Sequence, residues 1–505
     1  MVATGILLSR IVGLVRNRVF AHYFGTSDAA DAFNAAFRIP NFLQNLFGEG
    51  VLSASFIPVY ARLRAEGREA DARATASAVA ALLGLTVSVL VLAGVLLAPW
   101  LIDVIAPGFE GAKREATARL VRILFPGAGL LVLSAWCLGV LNSHRRFFLS
   151  YVAPVVWNLA IIAALMARGG HTEGFDLAEV AAWGSVVGSL LQFGIQLPTV
   201  LGLLGGPRLG PLFAGPVRQV VRSFVPVFVG RGVVQISAYV DTLLASLLPT
   251  GAVAAVSYAQ VLYTLPVSLF GMSVSAAELP EMSSAVGTES ERATFLRGRL
   301  EAGLRQIAFL VIPSAVGFIA LGDVVTGALY QSGEFTREMT VYVWGILAAA
   351  SVGLLPSTLG RLYSSAFYAL HDTRTPLRIA LVRVSLGIAL GYALALHLPA
   401  AAGVDARWGA AGITLASGVA AGVEYLLLRH ALGGRIGPTR LDGGTLARVW
   451  GAALGAGGVA WAVRGALPEM HPIGVAVIVL GVFGAVYLGS AAALGVPQAR
   501  RLLRR

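Results

Sequence analysis

Residues 77–105 read SAVAALLGLTVSVLVLAGVLLAPWLIDVI. No charge appears before Asp103, and the run exceeds the roughly 20 residues that cross a bilayer's hydrocarbon. It is continuous rather than alternating, so it reads as a helix and not as a strand of a membrane barrel. Runs of the same kind recur along the chain, at 2–23, 29–60, 77–105, 118–141, 151–168, 179–204, 219–248, 252–284, 303–330, 339–369, 376–398, 408–430, 446–466 and 471–495. The spacing predicts an all-α polytopic membrane protein with about 14 transmembrane helices. Composition agrees: the 505 residues are 57% hydrophobic and 13% charged, with mean hydropathy +0.77. Sixty glycines suit helices whose backbones approach closely. Pro40 and Pro266 predict kinks in the second and eighth segments.

The net charge is +12, but the bases gather in short loops, which points to membrane topology rather than nucleic acid. Loops after even-numbered segments hold Arg62, Arg64, Arg68 and Arg73, then Arg145 and Arg146, Arg208 and Arg218, Arg292, Arg297 and Arg299, Arg374 and Arg378, and Arg435 and Arg440, and the tail adds Arg500, Arg501, Arg504 and Arg505. The opposite loops hold Lys113, Arg114, Arg168, Arg337, Arg407 and Arg464. This asymmetry predicts a multi-pass protein with both termini in the cytoplasm. The first segment carries Arg10 and Arg16 and has no small-residue cleavage site, so it is expected to be retained.

Leu46-Phe47-Gly48-Glu49-Gly50-Val51 leads to Pro58, and Leu269-Phe270-Gly271-Met272-Ser273-Val274 leads to Pro280. These echoes fall on segments 2 and 8, so a parallel repeat of two six-helix lobes is expected, with segments 13 and 14 appended. The expected domains are an N-terminal lobe at 1–205, a C-terminal lobe at 206–432, and two further helices with a basic tail at 433–505. Transporters built this way bind substrate at the interface of their repeats.

Charges inside spans are costly and usually line a water-filled path. Arg10 and Arg16 lie about 120° apart around an ideal helix; a bend at Gly13 or their long stems would bring both to one cavity. The alternatives are snorkelling for Arg10 and an ion pair, as with Asp31, for Arg16. Asp31, Asn34, Arg38, Asn41 and Asn45 fall on one face of segment 2, reading either as a cavity wall or as interhelical hydrogen bonding. Arg231, Gln235 and Thr242 share a face of segment 7, with Asp241 about 80° away. Segment 8 offers Ser257, Gln260, Thr264, Ser268 and Ser275. Arg383 in segment 11 reads as a snorkelling residue. Glu424 in segment 12 is deep enough to titrate, to bind a cation or to pair with an arginine.

Cys137 is the single cysteine, the histidines lie in loops or at span ends, and no phosphate-binding loop is present. No metal site, catalytic set or cofactor is therefore expected. Any driving force would come from a coupling cation (sodium or proton), from the membrane potential or from downstream consumption.

Ser9-Arg10-Ile11-Val12-Gly13-Leu14-Val15-Arg16, Asp31-Ala32-Phe33, Pro40-Asn41-Phe42-Leu43, Phe47-Gly48-Glu49-Gly50 and Phe56-Ile57-Pro58-Val59 resemble the N-terminal signature of the MurJ/MviN family. These are bacterial lipid II flippases of the multidrug/oligosaccharidyl-lipid/polysaccharide exporter superfamily. The run from Phe367 to Pro376 resembles it too, as do Ala153-Pro154 with Asn158 and Trp183-Gly184 with Gln192 and Pro198. The resemblance implies a lobed transporter of the inner membrane with a central cavity and a groove for the lipid tail. It implies peptidoglycan precursor, an undecaprenyl-pyrophosphate-linked disaccharide-pentapeptide, as substrate, and leaves cell-wall synthesis enzymes as candidate partners. Arginine's paired donors suit a pyrophosphate. By resemblance Arg10 and Arg16 are cavity arginines, and Asp31 and Glu49 fall on family acidic positions.

Two family arginines are missing: Gln44 follows the Pro-Asn pair, and Ala259-Gln260-Val261 stands where the family has Ala-Asp-Arg. Arg231, with Arg38, is expected to compensate; otherwise the cargo is another lipid-linked glycan. Asp241 resembles a sodium-binding acid of some members, but segment 11 carries Arg383 where acidic partners are expected. The binding set read from the sequence is Arg10, Arg16, Asp31, Asn34, Arg38, Asn41, Glu49, Arg231, Gln235 and Gln260, with Asp241 and Glu424 as coupling candidates. Competing readings are an exporter of another polyprenyl-linked saccharide, a multidrug antiporter, a membrane glycosyltransferase (disfavoured by the short outer loops) and a transport-inactive scaffold.

Overall fold

The computed structural model describes residues 2–206, 215–284, 286–439 and 441–503, and within them the side chains of all but 2–4, 6, 49, 229–238 and 503. By its internal contacts the chain divides into two compact units, Met1–Ala254 and Ala255–Arg505. The first is built from α1 (Val2–Phe24), α2 (Asp28–Phe47), α3 (Glu49–Ala65), α4 (Glu69–Leu96), α5 (Ala98–Ile105), α6 (Gly111–Ser143), α7 (Phe147–Arg168), α8 (Gly174–Leu204) and α9 (Gly215–Ser246). The start of α10 (Ala252–Pro266) closes it. The second continues with α11 (Ser273–Ser283), α12 (Glu289–Tyr330), α13 (Arg337–Ser351), α14 (Leu354–Ala369), α15 (Arg374–Tyr392), α16 (Leu398–Ala402), α17 (Gly409–Ile436), α18 (Gly443–Ala466), α19 (Pro472–Ala493) and α20 (Pro497–Leu503).

All fourteen predicted segments coincide with a helix or a run of consecutive helices. Among the described residues, 10 helices are long and apolar enough to span a membrane, and 11 if the bent pair α13–α14 counts as one span. The remaining predicted segments are α1, α2–α3 and α9, the ones that carry Arg10, Arg16, the α2 stripe and Asp241.

The second segment breaks at Gly48, while α2 runs on through Pro40. A Cβ on Gly48 would collide with the Gln44 carbonyl oxygen, so the chain can turn there only without a side chain. In the eighth segment α10 ends at Pro266 and a π-helical turn, Val267–Met272, leads into α11. Gly271, in that turn, is pressed against the Thr358 methyl of α14. Both copies of the Leu-Phe-Gly echo thus sit at a helix irregularity.

A second internal match is conformational. After α6, Arg145 takes φ 58°; after α14, His371 takes φ 58°. The turns share one hydrogen-bond pattern: His144, Arg145 and Arg146 N–H donate to Val140, Asn142 and Leu141, and Leu370, His371 and Asp372 N–H donate to Ala366, Tyr368 and Phe367. Left-handed backbone at a non-glycine residue costs about 1–2 kcal/mol, and its recurrence after the fourth and the tenth predicted segments, six segments apart, matches the expected parallel repeat.

In the first unit α6 packs on α8 and α2, α7 on α8, and α1 on α7. In the second, α17 lies against α13, α14 and α15, and the α18–α19 pair packs on α12. Ile312, Val316, Val449, Ala453 and Ala456 form the apolar centre of that last contact. Its polar fastening is Asp323, 1% exposed, which accepts from Arg337 at 2.8 Å and Arg464 at 2.9 Å.

Candidate functional site

Arg16 emerges half-buried on α1. Its guanidinium donates to Asn17 Oδ1 from Nε (3.3 Å) and Nη2 (2.8 Å). Its Cζ stands 4.9 Å from the ring centroid of Trp157 on α7. That indole is fixed by donation to the Ser185 carbonyl (3.1 Å) and stacks on Phe37 at 5.9 Å. An aromatic face supports the cation, and a planar guanidinium suits phosphate oxygens. Of the acids that could pair with Arg16, Asp31 is engaged elsewhere, by Lys113. Arg10, six residues or about 9 Å earlier along α1, is exposed.

Asn34, Arg38, Asn41 and Asn45 are half-buried, whereas Ala35, Ala36, Ile39, Leu43 and Leu46 are buried. Asn34 donates to the Ala30 carbonyl at 2.8 Å. Tyr239 of α9 donates to the Arg38 carbonyl at 3.0 Å and meets Phe42 edge to face. Asp241 is an electrostatic neighbour of the Arg38 guanidinium. A fixed cation therefore stands beside the carboxylate expected to hold a mobile one.

Asp31 does not share the stripe's accessibility. It is 1% exposed. Lys113 Nζ of α6 lies 2.7 Å from its Oδ2 and 2.8 Å from Asp28 Oδ1. The Gly251 and Ala254 N–H groups each donate to its carboxylate at 2.8 Å, and Thr250 donates to Asp28 at 2.9 Å. Asp31 thus caps the N-terminus of α10, where unsatisfied N–H groups attract an anion, and latches it to α2 and α6. Helical spacing gave its angle correctly but not its cover, which comes from the α9–α10 connection. The signal that was missed is Lys113, the chain's one lysine among its arginines.

In the second unit Gln260 of α10 is exposed and donates to Thr264 Oγ1 at 3.3 Å. Glu424 of α17 accepts from Arg383 of α15 at 2.9 Å and is 13% exposed. Arg383 therefore does not snorkel, and Glu424 takes the arginine-paired option among those its sequence position left open. The side chains of Glu49, Arg231 and Gln235 lie outside the described residues. No group of three or more His, Cys, Asp or Glu suited to a metal occurs among the described residues.

The family model described as "Lipid II flippase MurJ" matches residues 20–482. The chain belongs to the MurJ family. The Lipid II flippase MurJ of Burkholderia cenocepacia is 32% identical over 430 residues, 84% of this chain and 80% of that protein. The probable lipid II flippase MurJ of Haemophilus influenzae is 31% identical over 441 residues, 84% of each chain. A solved lipid II flippase MurJ in an inward closed conformation shares the fold, with TM-score 0.79 and 24% identity over 100% of this chain and 99% of that one. An inward-facing multidrug resistance MATE transporter of the MOP superfamily shares it more loosely, at TM-score 0.67 and 16% identity over 84% of this chain and 95% of its own.

Proposed function

We propose that this MurJ family member is a flippase that moves lipid II from the inner to the outer leaflet of the bacterial cytoplasmic membrane by alternating access. The observation that carries the reading is Arg16: a guanidinium held inside a span on an aromatic shelf, Trp157 of α7 with Phe37 of α2 stacked on it. Transport of a diphosphate through hydrocarbon needs such a fixed cation, because the anion's desolvation is otherwise prohibitive. The polyprenyl tail stays in lipid while the head group passes. Bond-making enzyme chemistry is not needed for this, only states that bind the head group differently on the two sides.

The basic loops place both termini in the cytoplasm on this reading, with lobes at 1–205 and 206–432 and the two added helices at 433–505. Cation coupling, by sodium or proton, would act at Asp241 or Glu424, each of which has an arginine beside it; the membrane potential is the alternative drive. Cell-wall synthesis enzymes are candidate partners. With Gln44 and Val261 at two family arginine positions, export of another polyprenyl-linked saccharide is the competing cargo.

The test replaces the resident flippase in a depletion strain. Wild-type chain should restore growth, and Arg16→Ala should fail to do so at equal membrane abundance. Normal growth with Arg16→Ala would remove Arg16 from the site; no growth with wild type would favour another cargo.

A further inference from the structure

We propose that Arg361 on α14 is a second phosphate-binding group for the transported lipid, set in a polar stripe of the second unit. This rests on the flippase reading above and adds to it a contact that lies outside α1, α2 and α9.

Ser357, Arg361, Ser364 and Tyr368 fall at i, i+4, i+7 and i+11, within an arc of about 60° on α14. The opposite face, with Leu359, Leu362, Tyr363 and Ala366, is buried. Ser357 is covered by Tyr263 of α10, whose hydroxyl lies 2.9 Å from it. Below that bond the stripe opens: Arg361 is exposed, Ser364 half-buried and Tyr368 46% exposed. The same spacing with arginine at the second place occurs on α2, as Asn34, Arg38, Asn41 and Asn45.

Arg361 lies within the predicted span 339–369 and not at its end. Arg361 lies eight residues before the end of α14 and Arg383 nine residues after the start of α15. Both are up to about 12–14 Å from the connecting turn, close to half the hydrocarbon thickness of about 30 Å. Arg383 is neutralised by Glu424. The Arg361 guanidinium has no hydrogen-bond or ion-pair partner among the described residues. An exposed, unneutralised guanidinium at this depth must face water or an anion, because hydrocarbon cannot hold it. The Tyr263 hydroxyl is within electrostatic reach of both arginines, and on α10 the exposed Gln260 lies about a turn before Tyr263 and the exposed Thr264 directly after it. Gln260, Thr264, Tyr263, Arg361 and the Arg383–Glu424 pair thus make one polar surface. Arg361 is its uncompensated charge and presents a planar fork suited to two phosphate oxygens.

The test is native mass spectrometry of the purified full-length protein with three lipids: undecaprenyl diphosphate, neutral undecaprenol and lipid II. Wild type should retain undecaprenyl diphosphate over undecaprenol. Arg361→Gln should weaken undecaprenyl diphosphate and lipid II by about tenfold to a hundredfold, as loss of charged hydrogen bonds predicts, without changing undecaprenol binding or the melting temperature. Arg361→Lys should lie between. Unchanged diphosphate binding by Arg361→Gln overturns the inference and leaves the flippase reading standing. Weakening confined to lipid II also overturns it, because the anion would then be a peptide carboxylate. If wild type itself does not prefer the diphosphate lipid, both the inference and the reading fall.

Discussion

Lys113 Nζ sits 2.7 Å from Asp31 Oδ2, joining α6 to the first turn of α2, with the Asp31 carboxylate 1% exposed and also accepting from Gly251 and Ala254. Removing one member of a buried pair leaves the other charge uncompensated, at a cost of about 3–5 kcal/mol. Lys113→Met should lower the melting temperature in detergent by several degrees. Lys113→Met combined with Asp31→Asn should recover part of that loss, because the buried charge is gone. A single variant that melts like wild type would show that the two N–H donors suffice without the ammonium.

Trp157 supports Arg16 from below. Cation–π support is worth about 0.5–2 kcal/mol, so Trp157→Leu should slow lipid II transport in proteoliposomes by about threefold to thirtyfold, and Trp157→Phe by less. Equal rates for Trp157→Leu and wild type would mean that the indole serves only α7–α8 packing through its bond to Ser185.

His144, in the α6–α7 turn, lies 2.9 Å from the Tyr60 hydroxyl through Nε2. Burial, with Arg64 and Arg146 nearby, holds its imidazole below the ordinary value of 6.5. The unfolded chain then binds more protons than the native one just below pH 6.5, so stability rises with pH through that window and is lost as pH falls. Melting temperatures between pH 7.5 and 5 should decline for wild type and decline less for His144→Gln. Parallel curves would take His144 out of the acid response.

Gly48 ends α2 where a side chain would strike the Gln44 carbonyl oxygen, and Gly271 meets Thr358 in the π-helical turn. Overpacking of this kind costs about 1–3 kcal/mol. Gly48→Ala and Gly271→Ala should each lower the melting temperature, whereas Gly84→Ala, which meets nothing within 4 Å, should not. Similar behaviour of all three variants would show that the two irregularities do not depend on glycine.

Apolar run length located the long helices but not the short α20, because a span is fixed by hydrocarbon thickness and little else. The α2 stripe was legible for the same reason: 3.6-residue spacing sets which side chains share a face. Asp31 shows where spacing stops, since its burial is made by residues 250–254, more than two hundred positions away. The break at Gly48 rather than Pro40 reflects a contact within one turn that composition does not reveal. Arg361 escaped notice because 339–369 reads as one apolar run, and its stripe becomes visible only once α14 is seen to bury the opposite face. Lys113 was legible in principle as the lone lysine, but its partners were not.

The most direct test of the central claim is the leaflet position of lipid II. Vesicles holding the chain and labelled lipid II on their inner leaflet should, on this account, expose that label to an external lipid II-cleaving enzyme, and should not do so with Arg16→Ala. Label that stays protected with the wild-type chain present and folded would contradict it.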